Sequence, residues 1–186
     1  MNKIFFAFAA IVVLLTTACN DERLKMRNHI QELEGKVVKD SSNFTFDDKV
    51  LVQLAKEMVA YAEKFPEDSK AEGYLFKAGG LYIGMNKGKD AVDIFNKYIK
   101  TYPDGKNAAQ AMFNLGFVYD TQLKDIPNAK AAYQAFVDKF PNHQLANDTR
   151  ITIKMLGSGE SEDDMIKRFL KNANDSIAKA DSAKGR

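Results

Sequence analysis

An aromatic–proline pair that recurs at nearly constant spacing is the feature that most constrains the fold of this chain. The pair occurs three times, at Phe65–Pro66, Tyr102–Pro103 and Phe140–Pro141. The prolines are 37 and 38 residues apart, and an alanine follows each of them five positions later: Ala71, Ala108 and Ala146. A fixed period of this length predicts stacked copies of one structural unit rather than a single irregular core.

More residues keep fixed offsets from these prolines. Downstream of Pro66 and Pro103, the paired positions are Leu75 and Met112, Ala78 and Leu115, Gly79 and Gly116, and Tyr82 and Tyr119. Upstream of Pro103 and Pro141, they are Ala91 and Ala129, Phe95 and Tyr133, and Tyr98 and Phe136. Seven matching positions in two copies indicate an internal repeat.

Each unit is predicted to be a pair of antiparallel helices, because its apolar residues recur at i, i+3, i+4 and i+7. The helices of the two clearest units span about 70–85, 89–101, 106–122 and 127–139. Pro103 ends the second helix, since the residue before a proline is pushed away from α geometry. Gly79 and Gly116 are expected to let the paired helices approach closely. A hairpin cannot bury its apolar face alone, so neighbouring hairpins must stack.

These residues resemble the tetratricopeptide repeat, a helix–turn–helix unit of about 34 residues. The resemblance covers roughly residues 47–157, and it starts with a partial repeat of which the second helix, about 47–64, is the clear part. It implies an all-α fold, a short right-handed α-solenoid of helix hairpins with a C-terminal capping helix. The first helix of a third unit is degenerate, because Lys154 stands where glycine would and Gly157 where tyrosine would.

Weaker segments flank the repeats. Residues 24–38 predict a short helix, and the linker after it ends in a capping pair formed by Thr45 and Asp48. Residues 162–180 predict an amphipathic helix. Its apolar face carries Met165, Ile166, Phe169, Leu170, Ala173 and Ile177. The predicted organisation is a signal peptide at 1–18, a tether with a short helix at 19–46, the repeat domain at 47–157, and the capping helix and polar tail at 158–186.

The N-terminus predicts export from the cytoplasm. Lys3 precedes an apolar block over residues 4–15, and 12 residues are too few to span a bilayer, which needs about 20. The only cysteine, Cys19, follows directly after small residues. This pattern resembles the bacterial lipoprotein signal. The resemblance implies cleavage before Cys19 and acylation of that residue, with palmitate among the acyl chains. It also implies anchoring in a Gram-negative cell envelope, at the outer membrane. The periplasmic or surface face is left open, and the alternative is a plain signal peptide with a chance cysteine.

Short motifs in the tail and after the cysteine point to one group of Gram-negative bacteria. The tripeptides that begin at Asp175 and Asp181 resemble the Asp-Ser/Thr-apolar acceptor for O-glycosylation, which marks Ser176 and Ser182 as candidates. Residues 20–22 resemble the acid-rich surface-export tag of the same group. Chance matches in a tail rich in Asp, Ser and Ala are the alternative.

The sequence contains no constellation typical of an enzyme. Its 27 basic and 25 acidic residues are interspersed, without the basic stripe of a nucleic-acid-binding protein. His29 and His143 are far apart and lack neighbouring ligands at metal-binding spacing, so neither a metal nor another cofactor is expected. The acid pairs at 47–48 and 163–164 lie at predicted helix starts, where they stabilise the helix dipole.

The aromatic and aliphatic residues divide into two sets. Tyr82, Phe95, Tyr98, Tyr119, Tyr133 and Phe136 occupy positions expected in the core. An opposite stripe on the first helices holds Phe76, Ile83, Phe113, Phe117, Ile151 and Met155. The family resemblance implies that this stripe lines a concave groove for a partner. Two occupants remain open, namely a helix or extended segment of a partner and the chain's own residues 162–180.

The sequence therefore suggests a non-enzymatic, membrane-anchored scaffold that binds another envelope protein or peptide. The repeats look most like those of the β-barrel assembly lipoprotein and of the Tol–Pal coordinator, from which only the general role of partner binding is carried over. One alternative is an accessory lipoprotein that captures a small molecule or glycan, although a stripe without tryptophan favours a peptide. Another is a purely structural envelope protein whose groove is covered by its own C-terminal helix.

Overall fold

The computed structural model describes residues 20–37, 47–158, 167 and 170–171, and every regular element within those ranges is an α-helix. Helix α1 spans residues 20–37. The other six are α2 (Asp48–Lys64), α3 (Ala71–Gly84), α4 (Gly88–Thr101), α5 (Ala108–Thr121), α6 (Ile126–Lys139) and α7 (Ala146–Ser158). The predicted all-α array of hairpins is confirmed, and the bounds of α3 to α6 lie within two residues of expectation.

The aromatic–proline pairs form one recurring turn. Three backbone hydrogen bonds of 2.9 Å close its first copy, in which Phe65 N donates to Tyr61 O, Asp68 N to Phe65 O, and Ala71 N to Asp68 O. The same three bonds recur at the equivalent positions after α4 and after α6, with lengths of 2.8 to 3.1 Å. The repeat in the sequence therefore corresponds to a backbone hydrogen-bonding pattern that recurs in all three turns.

The carbonyl oxygen of each of these three prolines accepts a hydrogen bond from a side chain further along the chain. The Tyr102 hydroxyl donates to Pro66 O over 2.9 Å, and Lys139 Nζ donates to Pro103 O over 2.6 Å. The Arg150 guanidinium donates to Pro141 O over 3.1 Å. We call the edge of the array that carries these three turns the proline edge.

The core runs through the hairpins as the repeat predicts. Of the six aromatic residues assigned to it, five are buried and Tyr119 is half-buried. The two repeat glycines lie where paired helices touch: a Cβ added to Gly79 would lie 2.7 Å from Cε1 of Phe95, and one added to Gly116 would overlap the ring of Tyr133. Real Cβ atoms are not found this close to other atoms, so both glycines are required by packing.

Helix α1 is packed into the array, although the sequence placed it in a tether. Ile30 and Leu33 are buried in the same core cluster as α2 and α3. Ion pairs of Glu22 with Lys64 and of Glu34 with Lys77 bind α1 to both neighbours. Helices α1 and α2 thus form a complete first hairpin. Offsets from Pro66 did not predict this hairpin, because more residues separate α1 from α2 than separate the helices of the other hairpins.

The N-cap of α2 corrects a second expectation. Asp47, rather than Thr45, caps this helix, and its carboxylate accepts a hydrogen bond of 2.8 Å from Lys49 N. Thr45 lies outside the described residues.

The predicted helix 162–180 also lies largely outside the described residues. Of its apolar face only Leu170 is described; this residue is helical and 55% exposed.

Candidate partner-binding surface

The six residues of the predicted groove occupy three repeat positions. One position holds Phe76, Phe113 and Ile151. A second holds Phe117 and Met155, with Gly80 as their counterpart on α3, and the third holds Ile83. All of them lie on the first helix of a hairpin. Stacked hairpins repeat one orientation, so equivalent positions face the same side of the array.

Two of the six residues belong to the packing of their own hairpins. The ring of Phe76 lies 6.1 Å from that of Phe95, and the ring of Phe113 lies 5.6 Å from that of Tyr133. Both phenylalanines are half-buried, as is Ile83. These side chains therefore belong to the packing of the hairpins rather than to a free surface.

The other three residues are exposed. Phe117 on α5 is 37% exposed, while Ile151 and Met155 on α7 are 56% and 38% exposed. Ile151 and Met155 are four residues apart, so they project from adjacent turns of one helix face. We call Phe117, Ile151 and Met155 the α5–α7 strip. It is the part of the predicted stripe that is accessible to a partner.

The same side of the array differs near α3, where Gly80 stands at the position that Phe117 and Met155 occupy on α5 and α7. A Cβ added to Gly80 would meet nothing within 4 Å. A cavity of about 320 Å³ lies beside it, with Leu54 and Met58 of α2 among its lining. The Glu34–Lys77 ion pair, 3.1 Å long, stands at its rim. The sequence did not indicate this cavity, because α1 and α2 had not been recognised as a hairpin.

The surface between α6 and α7 carries both polar and apolar side chains. A groove of about 500 Å³ between α6 and α7 is lined by Gln134, Val137, Asp138, Pro141, Arg150, Ile153 and Lys154. It lies where the second helix of a third hairpin would pack. Arg150 takes the position of Leu75 and Met112, and Lys154 that of the repeat glycines. A lysine there removes the space that an aromatic ring fills in the two central hairpins.

The most strongly perturbed phenols are buried inside the hairpins. Burial, reinforced by the hydrogen bond to Glu72, raises the pKa of Tyr98. Burial and the nearby Asp120 raise the pKa of Tyr133, and burial raises the pKa of Tyr61 to about 12. These phenols therefore remain protonated near neutral pH and have a structural role.

The two histidines lie apart, on α1 and in the turn before α7. His143 Nδ1 accepts a hydrogen bond of 3.2 Å from Leu145 N, and its ring packs on Phe136. Among residues 20–37 and 47–158, no group of three or more His, Cys, Asp or Glu side chains could hold a metal ion.

The remaining predicted sites are outside the structure's described ranges. Cys19, Ser176 and Ser182 fall there, so lipidation and glycosylation stay predictions. None of the described helices is long and apolar enough to cross a membrane.

The central hairpins match a known protein family. Among curated proteins, no sequence matches the chain. The family model for the tetratricopeptide repeat matches residues 74–105 and residues 110–143. The first match covers most of α3 and α4, and the second covers most of α5 and α6. The two central hairpins are therefore tetratricopeptide repeats.

Proposed function

We propose that this protein is a membrane-anchored scaffold of the Gram-negative cell envelope, held at the outer membrane through Cys19, and that it binds another envelope protein or peptide. The observation that carries the binding part is the α5–α7 strip. Its three apolar side chains are 37% to 56% exposed at repeat positions that face one side of the array. Large apolar side chains that stay exposed on one side of a repeat array are candidates for an interaction site. Tetratricopeptide repeats are in general non-enzymatic scaffolds for protein partners.

The shape of the strip favours an amphipathic helix as the partner segment. Phe117 supplies a large flat ring, and Ile151 and Met155 lie on neighbouring turns of α7. A partner helix with apolar residues at i, i+3, i+4 and i+7 can bury all three against one face. Aromatic anchors at the centre of such contacts carry a large share of the binding energy.

The binding hypothesis is tested by charge substitutions in the strip. Phe117→Glu and Ile151→Glu should each weaken binding of the partner at least about tenfold, because a buried carboxylate would be unpaired. Leu24→Glu is the matched control, since Leu24 is 54% exposed but lies on α1. The measurement is quantitative co-purification of one identified envelope protein, followed by titration with the purified partner. Equal binding by all three variants would refute the role of the strip.

The chain's own residues 162–180 are the competing occupant of the strip. Deleting residues 161–186 should leave the affinity for the partner unchanged if the strip is open, and should raise it if that segment covers the strip. A deletion that unfolds the protein, seen as lost helical circular dichroism, would instead favour a purely structural role for this segment.

The anchor is tested separately from the binding surface. Cys19→Ser should move the protein from the detergent phase to the aqueous phase in a phase-partition experiment, because the acylated residue is lost. Mass spectrometry of the wild-type N-terminus should show the acyl mass on Cys19. A wild-type protein that already partitions into the aqueous phase would exclude the anchor and leave the binding hypothesis standing.

A further inference from the structure

We infer that the proline edge of the array faces the lipid bilayer, with the helices standing roughly along the membrane normal. This inference rests on the proposed function, since it takes Cys19 to be the anchored residue. It adds an orientation, and therefore a membrane-facing surface, that the proposed function does not specify.

The first step is the distance from the anchor to the folded array. Asn20, the residue directly after Cys19, is already part of helix α1. Consecutive Cα atoms are 3.8 Å apart, so the acylated residue lies within one residue of a packed helix. Among the residues that the structure describes, the chain directly after Cys19 is already helical, so the tether expected from the sequence does not separate that residue from the array.

The second step is that the first turn of α1 is fixed to its neighbours. Arg23 donates a hydrogen bond of 3.2 Å to Asp68, whose side chain is 9% exposed, and a second of 2.6 Å to Asn20. Glu22 forms an ion pair with Lys64 at the end of α2. The start of α1 is therefore bound to the end of α2 and to the first aromatic–proline turn.

The third step concerns the surface that this geometry brings to the membrane. The first turn is joined to the second through the Tyr102–Pro66 hydrogen bond, and the second to α6 through the Lys139–Pro103 hydrogen bond. The exposed side chains of these turns are prolines, charged residues such as Glu67 and Asp104, and the polar Ser69. Such a surface suits the headgroup region, where charged groups stay hydrated, and it does not suit insertion into the hydrocarbon.

The orientation also sets the height of the α5–α7 strip. At 1.5 Å per residue, Ile151 lies about 8 Å and Phe117 about 14 Å from the N-terminal ends of their helices. The strip would then face sideways, close above the headgroups. The partner segment that reaches it would be a juxtamembrane helix rather than a distant soluble domain.

The test uses single tryptophans as depth reporters, because the chain has none of its own. Glu67→Trp places the reporter on the proline edge, and Lys89→Trp places it at the start of α4 on the opposite edge. Both residues are exposed. The edges are about 20 Å apart, since the helices between them have 14 residues. The lipidated full chain is reconstituted in vesicles of phosphatidylethanolamine and phosphatidylglycerol that contain a dansyl-labelled headgroup lipid.

Energy transfer to dansyl should be several-fold stronger from the Glu67→Trp variant than from the Lys89→Trp variant. Inserting about 20 Gly/Ser residues between Cys19 and Asn20 should abolish that difference, because such a linker spans roughly 25 Å on average. Two results for the protein without the linker would overturn the orientation: equal energy transfer from both reporters, or stronger transfer from the Lys89→Trp variant. Neither result would contradict the lipid anchor at Cys19. Absence of transfer from both, with the protein free in solution, would overturn the orientation and the anchor together.

Discussion

The hydroxyl of Tyr98 donates a hydrogen bond of 2.5 Å to Oε1 of Glu72. The N–H of Asn107 donates to the same carboxylate oxygen over 3.2 Å and to the Tyr98 hydroxyl over 3.1 Å. One phenol and one carboxylate thus join the end of α4 to the starts of α3 and α5. Adjacent repeats are held together here by polar groups as well as by the apolar core.

Tyr98→Phe should lower the free energy of unfolding by about 1–2 kcal/mol, the cost of removing a hydrogen bond to a charged group. The ring itself should still fit, because Phe136 occupies the equivalent position in the next repeat. Urea denaturation followed by circular dichroism measures the change. Tyr102→Phe is the control and should cost only about 0.5 kcal/mol, since it removes an exposed bond. Equal losses in the two variants would contradict the role assigned to the junction.

Two adjacent glycines of α3 should respond in opposite directions to alanine. Gly79→Ala should destabilise the protein by about 1–3 kcal/mol, because the new Cβ would lie 2.7 Å from Cε1 of Phe95. Gly80→Ala should stabilise it by about 0.5–1 kcal/mol, since no atom lies within 4 Å and alanine favours the helix. Thermal unfolding of both variants in one buffer gives the comparison. A stabilising Gly79→Ala would show that the helices are not in close contact there.

The packing of α1 gives a third prediction. Leu33→Ala should lower the free energy of unfolding by about 2–5 kcal/mol, because Leu33 is 2% exposed in the core. Leu24→Ala, on the same helix but 54% exposed, should change it by less than about 0.5 kcal/mol. Denaturant titration distinguishes the two. A small effect of Leu33→Ala would mean that α1 behaves as a tether.

The Asp68–Arg23 pair should make α1 sensitive to acid. Burial by itself raises the pKa of Asp68, but the hydrogen bond from Lys70 N and the charge of Arg23 bring that pKa below its ordinary value. A lowered pKa in the folded state stabilises the protein above the unfolded-state pKa of about 3.9, and this stability is lost as the pH falls through the folded-state value. Because Arg23 is partly exposed, the contribution at pH 7 should be at most about 1 kcal/mol.

Asp68→Asn tests that linkage directly. At pH 7 the variant should be less stable than the wild type, and the difference should shrink as the pH falls below about 3.9. Urea denaturation at several pH values measures it. A difference that does not change with pH would show that packing, rather than the carboxylate charge, accounts for the effect.

Local signals were sufficient for the two central hairpins. Pro103 and Pro141 end α4 and α6 through a steric effect on the preceding residue, which requires no tertiary information. Gly79 and Gly116 could be assigned to helix contacts because both lie at the same offset from the preceding proline, Pro66 or Pro103. By contrast, the residues of α1 do not match the other repeats in their offset from the proline, because residues 38–47 separate α1 from α2. Its apolar residues therefore indicated a helix but not the place where that helix packs.

The sequence by itself determined the helical class, the repeat period and the positions of the central turns, because spacing and backbone sterics act along the chain. Only the tertiary structure decided which members of the predicted stripe are available to a partner. Phe76 and Phe113 are covered by rings of their own hairpins, whereas Phe117, Ile151 and Met155 remain exposed. Burial depends on which helices lie beside a residue, and that is a property of the packed array rather than of any one segment.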